Sequence, residues 1–332
     1  MLHDIIFLVL GLALIVVGGN AVTDGAVTVA RKFNVSNLVI GLTVVAFGSS
    51  APDLVVCLTS TLEGKSQMAL GDVIGANTFD ILLCVGVVAL VRPISLTTDM
   101  VNKDLPMLVL SALVIFFCGD DILFDGARAD IISRTDGLMM LGFFAIFMAY
   151  TLQNAKTARL ARMVAGKPQA SQTPVAPAVS APQMWKAAAY IVAGLAALIV
   201  GGNWIVDGAS GIALKAGLSE SLVGLTIVAI GSSLPDMATS IAAAVKNHPG
   251  IAIGNIVGAS IFNIFFILGF CSTLKPLNSG NITLVDFSTL AGGAIVLWLF
   301  GCVIGRGKIS RIEGAVLALG YAAYMAYLVL NA

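Results

Sequence analysis

The stretch GLTVVAFGSSAPDL, Gly41 to Leu54, returns 183 residues later as GLTIVAIGSSLPDM, Gly224 to Met237. Each copy sets a glycine, two serines, a proline and an aspartate inside a run of apolar residues. The same offset, followed outward, aligns residues 11–93 with 194–276 without a gap, and 31 of the 83 positions are identical. Paired landmarks include Gly18 with Gly201, Asp24 with Asp207, Pro52 with Pro235, Gly75 with Gly258, Phe79 with Phe262 and Pro93 with Pro276. A chance likeness between apolar stretches would not keep one register through glycines, prolines and aspartates. The chain contains an internal duplication.

Composition says what kind of solvent surrounds it. Of the 332 residues, 58% are hydrophobic and 11% charged, with a mean hydropathy of +0.99. A soluble domain carries about a quarter charged residues, so this composition cannot build an aqueous surface. Ten apolar stretches are long enough to cross a ~30 Å hydrocarbon core: residues 4–29, 36–61, 67–91, 104–119, 135–154, 184–209, 219–245, 249–273, 283–304 and 309–330. Their continuous apolar pattern predicts helices rather than a barrel. The expected fold is an all-α polytopic membrane protein with the lipid bilayer as its partner. Nothing points to nucleic acid or to an obligate protein partner. Cys57, Cys84, Cys118, Cys271 and Cys302 lie within or at the ends of apolar segments without zinc-ligand spacing and read as small buried residues. His3 and His248 fall at a terminus and in a loop, which leaves no histidine metal site. The first segment lacks a basic leader and a clear cleavage site and reads as a retained helix.

The duplication divides the chain into a first repeat of five helices, 1–154, a polar Ala/Pro/Gln-rich linker, 155–183, expected to be flexible, and a second repeat, 184–332. Five is an odd number, so consecutive units enter the membrane from opposite sides and the repeats are inverted. If the N-terminus lies outside, 13 of the 18 basic residues fall in cytoplasmic loops, and Lys65, Arg128, Arg134, Lys215 and Lys275 lie outside. That bias follows the positive-inside rule and places the linker in the cytoplasm. Inverted five-helix repeats are a recurring plan of secondary transporters, with the substrate near the midplane where the repeats meet.

The duplicated stretch carries the chemistry. Pro52 and Pro235 each remove a backbone hydrogen bond, freeing the carbonyls of Gly48 and Gly231 in mid-membrane. Beside them stand Ser49 and Ser50, Ser232 and Ser233, and the carboxylates of Asp53 and Asp236. Carbonyl, hydroxyl and carboxylate oxygens are what hard cations bind. An ionised aspartate in mid-membrane costs at least ~2.5–3.5 kcal/mol, and a cation is the simplest compensation. A kinked helix with back-bonded serines would explain the serines and prolines, but not a carboxylate in each copy. GDVIGANTFD (Gly71 to Asp80) and GNIVGASIFN (Gly254 to Asn263) add small residues for close helix approach and a second polar pair, Asp80 and Asn263. Asn77 and Ser260 read as packing or hydrogen-bonding groups. Three ionised aspartates would balance three monovalent cations, or Ca²⁺ with a proton.

These residues resemble the calcium/cation antiporter superfamily, which includes Na⁺/Ca²⁺ exchangers. The likeness covers both repeats, through a G-[TS]-S-x-P-[ED] motif in each half followed by a G-N-x-x-G-[SA]-N-x-x-[ND]-like motif. It implies ten helices in two inverted halves, and alternating-access antiport of Ca²⁺ against Na⁺, K⁺ or H⁺ without a cofactor, in a prokaryotic plasma (inner) membrane. Position by position, it makes Asp53 and Asp236 the central Ca²⁺ carboxylates and Asp80 with Asn263 the second pair. Ser49, Ser50, Ser232, Ser233 and the carbonyls of Ala46 and Ala229 supply further oxygens. The first and sixth helices become a gating pair. The chain departs from the family pattern with aspartate where glutamate is usual at 53 and 236, serine for threonine at 49 and 232, and Ala76 and Ala259 where serine ligands are expected. The Asn/Asp pair is also exchanged between the halves. Ca²⁺ with Na⁺ is the expected exchange, and proton coupling or another divalent cation is the alternative.

Two other readings compete. An intramembrane aspartyl protease also needs two membrane aspartates, and Leu70-Gly71-Asp72 echoes part of such a signature. Asp72, however, has Asn255 as its repeat partner, whereas Asp53 and Asp236 share identical contexts. The chain is therefore expected not to be an enzyme. A cation channel would use the same oxygens but would pass Ca²⁺ without a counter-ion. The acidic outer loop with Asp120, Asp121, Asp125, Asp130 and Asp136 lacks EF-hand spacing and reads as solvated, while Asp24 and Asp207 read as gate or interface groups.

Overall fold

The computed structural model describes residues 2–33, 36–119, 130–164, 181–215, 229–279, 282–305 and 307–331. Helices account for almost all of them: α1 (Leu2–Phe33), α2 (Asn37–Ser49), α3 (Ala51–Glu63), α4 (Ser66–Val91), α5 (Met100–Gly119), α6 (Arg134–Val164), α7 (Ala181–Lys215), α8 (Ala229–Val245), α9 (Pro249–Leu274), α10 (Leu284–Ile304) and α11 (Arg311–Asn331). Among the described residues, eight helices are long and apolar enough to cross a membrane, or nine if the bent pair α2–α3 is one span. The seventh expected span begins in residues that lie outside the described part, and α8 is its remainder. The described residues thus give eight or nine spans against the ten expected.

Two other expectations meet the structure at their edges. α6 runs on to Val164, past the boundary expected at 154, because NAKTARLARMV is made largely of alanine, arginine, lysine, leucine and methionine, all strong helix formers. Residues 165–180, the rest of the expected linker, lie outside the described residues, as do Asp120, Asp121 and Asp125 of the acidic loop. Asp136 accepts hydrogen bonds from the backbone N–H and hydroxyl of Ser133 at the start of α6, and Glu313 does the same for the Ser310 N–H at the start of α11. Such carboxylate caps satisfy donors that a helix leaves unpaired.

The two copies of the duplicated stretch bend differently. Between α2 and α3 the chain leaves the helix at Ser50 (φ −82°, ψ 3°), and the two axes meet at 46°. Pro52 then sits in the first turn of α3, where a missing N–H leaves no hydrogen bond unmade. α8, by contrast, continues as unbroken helix through Pro235. α4 and α9 each loosen into a π-helical stretch, Phe79–Cys84 and Phe262–Leu268, beginning at positions one repeat offset apart. Such local widenings are frequent at functional sites.

α4 and α9 form the interior: 78% and 94% of their apolar windows are buried, against 22% for α6 and α11, which lie at the perimeter. Exposed Val9, Val17, Ile146 and Leu319 are the apolar side chains a helix presents to lipid. Contacts recur in pairs related by the offset. α1 and α7 run antiparallel at very close range: a Cβ on Gly18 would stand 2.7 Å from the Gly194 carbonyl, one on Gly194 would stand 2.9 Å from the Gly18 carbonyl, and one on Gly201 would stand 2.8 Å from that of Gly11. Gly86 of α4 and Gly314 of α11 meet each other's carbonyls in the same reciprocal way, at 2.8 Å. Two short antiparallel ladders join loops of opposite halves, β1 (Ile94–Ser95) with β4 (Lys308–Ile309) and β2 (Ile131–Ile132) with β3 (Leu277–Asn278). The Tyr150 hydroxyl donates to buried Asp104, tying α6 to α5, and Tyr324 donates to Asp286 at 2.7 Å, tying α11 to α10.

The glycine contacts give a direct test. Gly18→Val pushes a side chain into the α7 backbone and lowers stability by about 1–3 kcal/mol, read as a lower melting temperature in detergent. Gly142→Ala, where nothing described lies within 4 Å of the added methyl, leaves the melting temperature equal or raises it.

Candidate cation-binding site

The site is assembled from four helices. α3 packs on α4 and on the π-helical stretch of α9, while α8 packs on α9 and on the π-helical stretch of α4. Asp53 lies in the first turn of α3, Asp80 in the π-helical stretch of α4, and Asp236 in α8. Their exposures are 1%, 0% and 0%, so all three carboxyl groups are out of solvent. Among the described residues none of them forms an ion pair with a lysine or arginine. Their charges are close enough to act on one another.

Amides hold two of the three. Asn263 Nδ2 donates to Asp53 Oδ2 at 2.9 Å, a bond between residues of opposite halves. Asn255 Nδ2 donates to Asp236 Oδ1 at 3.0 Å and to Ser240 Oγ at 3.2 Å. The same Asn255 accepts through Oδ1 from Ser49 Oγ at 3.1 Å, so it links α8 and α9 to α2. The third carboxylate, Asp80, accepts a 3.4 Å contact from the Cys84 thiol one turn on.

What remains unbonded is more informative. Among the described residues, buried oxygens without a donor include Ser50 Oγ and Ser233 Oγ, Asp53 Oδ1 and Asp236 Oδ2, Asn77 Oδ1 and Ser260 Oγ, and Asp80 Oδ2 and Asn263 Oδ1. These are four pairs, and each pair is one repeat offset apart. A buried polar group left unsatisfied costs about 1–3 kcal/mol, so eight together are a concentrated expense. All eight can accept, and acceptor oxygens of these kinds suit a hard cation.

The expected site residues are therefore distributed unevenly. Asp53, Asp80, Asp236, Asn263, Ser49, Ser50 and Ser233 all fall in this buried polar zone. The Ala46 carbonyl, expected as a ligand, accepts from Ser49 Oγ at 3.2 Å and from the Ser50 N–H at 3.0 Å. Ala229 and Ser232 stand on the backbone of α8, and their side chains are outside the described part of the structure. Among the described residues, no three His, Cys, Asp or Glu side chains converge into a metal-holding group. Ala76 and Ala259 are both buried and present methyl groups to the interior. Asp24 is elsewhere, paired with Lys246 at 2.8 Å, and Asp207 is exposed.

Sequence reasoning missed Asn255 and Ser240. In the sequence Asn255 stands out only as the repeat partner of Asp72, although an amide three residues before the GAS of GNIVGAS, inside an apolar helix, is a polar group in need of a purpose. Ser240 carried no signal beyond a hydroxyl one turn after Asp236.

Known proteins resemble this chain over nearly its whole length. The family model described as "Sodium/calcium exchanger protein" matches residues 3–153 and 186–330. CaxA of Alkalimonas amylolytica is 33% identical over 98% of this chain and 98% of its own length. The sodium/calcium exchanger MaX1 of Methanosarcina acetivorans is 28% identical over 98% of both chains. A solved structure of the sodium-calcium exchanger NCX_Mj, soaked with zero Na⁺ and Ca²⁺, superposes with a TM-score of 0.81 at 28% identity, covering 98% of this chain and 99% of that one. With a family model spanning nearly all of both halves, this chain belongs to the sodium/calcium exchanger protein family.

Proposed function

We propose that the chain exchanges Ca²⁺ for Na⁺ across a prokaryotic inner membrane by alternating access, with the cations bound among Asp53, Asp236, Asp80 and Asn263. The observation that carries this reading is the set of eight buried acceptor oxygens in four repeat-equivalent pairs. Each half contributes one wall, which is what an inverted pair of five-helix repeats would do at the midplane. The reading includes ten spans, a first repeat of 1–154 and a second of 184–332, the N-terminus outside and the intervening segment in the cytoplasm. The distribution of basic residues supports that orientation. It also takes MaX1 and NCX_Mj, both named as sodium and calcium exchangers, as guides to the substrate. Membership in a family of exchangers, and the symmetric placement of Asp53 and Asp236, weigh against a protease or a channel.

One observation supports proton coupling as the second reading. Ala76 and Ala259 present methyl groups to the interior, so two hydroxyls expected for Na⁺ are missing. Uptake of ⁴⁵Ca²⁺ into proteoliposomes, driven by an outward Na⁺ gradient, an outward H⁺ gradient or neither, separates the cases. Uptake with Na⁺ alone supports Na⁺/Ca²⁺ exchange. Uptake with H⁺ alone makes the chain a proton-coupled antiporter, and equal uptake without either gradient makes it a channel.

Replacing Asp53 or Asp236 by Asn removes a buried charge that only the transported cation balances. Each change is expected to reduce exchange at least ~100-fold while leaving the melting temperature within a few degrees. Undiminished transport by both variants would sink the site assignment. Asn255→Ala removes the amide that orients Asp236, and the expected outcome is a ~10–100-fold rise in half-saturating Ca²⁺. An unchanged value would take Asn255 out of the site.

A further inference from the structure

We infer that the ion pair between Asp24 and Lys246 is a latch across the two halves of the chain, holding α1 against the turn between α8 and α9 and biasing the exchanger towards the state closed at that end. The inference rests on the exchanger reading above, and adds Lys246 to it as a residue that positions a helix rather than an ion.

The turn is built alike in both repeats. Glu63-Gly64-Lys65 follows α3, and Lys246-Asn247-His248 follows α8 one repeat offset later. The Gly64 N–H donates to the Thr61 carbonyl at 3.1 Å and the Lys65 N–H to that of Ser60 at 2.8 Å. The Asn247 N–H donates to the Ala244 carbonyl at 3.1 Å and the His248 N–H to that of Ala243 at 2.8 Å. The middle residue is left-handed in both, with φ 80° at Gly64 and 64° at Asn247, a conformation that glycine and asparagine accept most readily. One backbone shape thus presents an acid in the first copy and a base in the second. The long first helix of each repeat, however, keeps an aspartate at the equivalent position, Asp24 in α1 and Asp207 in α7. The carboxylates of Glu63 and Asp207 repel one another, and Glu63 instead accepts from Lys65 Nζ within its own turn at 2.7 Å. A pair of the Asp24–Lys246 kind belongs to one place only.

Lys246 stands on a firm base. His248 Nδ1 lies 3.3 Å from Asn37 Nδ2, and a Cβ on Gly250 would stand 3.2 Å from the Leu38 nitrogen, so the turn is fixed to α2. From there Lys246 Nζ reaches Asp24 Oδ1 at 2.8 Å and donates to the Asn20 carbonyl at 3.0 Å, both on α1. Next to this polar end, α1 meets α8 through small residues. A Cβ on Gly19 would stand 3.0 Å from the Ala238 carbonyl and 3.5 Å from the Ala242 Cβ. Such a smooth face suits the small sliding of packed helices. The pairs Lys65–Glu63 and Lys103–Asp99 lie within one turn of chain, whereas Lys246 and Asp24 come from opposite halves.

Alternating access moves one repeat or bundle against another, and the boundary of α1 with α8 lies between the halves. A contact of glycine with alanine changes little as two helices slide. An ion pair is made in one arrangement and lost in the next. Lys246 is 27% exposed and Asp24 57%, so the pair is wet and shifts an equilibrium only about two- to fivefold. That is the size of bias a latch can have if it is to open in every cycle. Because one end carries it and the other does not, it favours one state over its opposite.

The test uses the full chain in right-side-out and everted membrane vesicles, with initial ⁴⁵Ca²⁺ uptake measured against external Ca²⁺. The turn at Asn247 lies on the inner face in the orientation proposed above. Apparent affinity at a face scales with the fraction of protein competent to bind there, and unlatching raises that fraction inside. Lys246→Met and Asp24→Asn are each expected to lower half-saturating Ca²⁺ at the inner face roughly threefold, and to leave it equal or higher at the outer face. Lys246→Arg keeps the charge and is expected to stay within about twofold of the wild type. The double variant should shift no further than Lys246→Met, because both changes remove the same interaction. Shifts in one direction on both faces, no shift at the inner face, or single effects that add overturn the inference while leaving the exchanger reading intact. Wild-type vesicles that carry out no Ca²⁺ exchange overturn the exchanger reading, and this inference with it.

Discussion

The hydrogen bond from Asn263 to Asp53 joins two helices that belong to opposite halves of the chain, and much of the architecture follows from it. A carboxylate in hydrocarbon must find a donor or a cation. Here the donor comes from the other half, and the bond from Ser49 to Asn255 repeats the principle in the opposite direction. Neither half can complete its own polar residues. The close glycine contacts of α9 with α2, where a Cβ on Gly254 or Gly258 would stand 2.8 Å from the backbone of Leu38 or Leu42, serve the same end, because only small residues let the backbones approach closely enough for short polar side chains to reach across.

How much of this could be read beforehand depends on how local each property is. Apolar length and the repeat of glycine, proline and aspartate are properties of short stretches, so the helical membrane fold and the pairing of Asp53 with Asp236 were visible in the residues alone. The bend at Ser50 was not, because the same Gly-Ser-Ser-X-Pro-Asp yields a break in one copy and a continuous helix through Pro235 in the other. Packing decides between those outcomes. The π-helical stretches at Phe79 and Phe262 have no composition signal that distinguishes them from ordinary helix. The extension of α6 to Val164 shows the opposite case: a polar, charged stretch looked like linker, but its alanines, lysines and arginines favour helix.

The buried polar zone was legible in its carboxylates and only partly in its other oxygens. Asp80 and Asn263 stand out because they are polar residues in apolar helices. The Ala46 carbonyl could be proposed only by likeness to a family, and in this structure local donors already bond it. Asn255 was hidden by its own usefulness, since a residue that satisfies three neighbours leaves no orphaned partner by which to notice it. Duplication helps here: comparing each position with its equivalent shows where the halves have diverged, and Asp72 against Asn255 is such a place.

The two short ladders carry a consequence for either half taken alone. β1 pairs with β4 and β2 with β3, so each strand finds its mate in the other half. The first half in isolation would expose two strand edges, a row of bare glycines and a carboxylate lacking its amide. Such a unit is an unfinished surface that the other half covers. Carrying both copies on one chain keeps these complementary edges together while leaving each copy free to differ from the other.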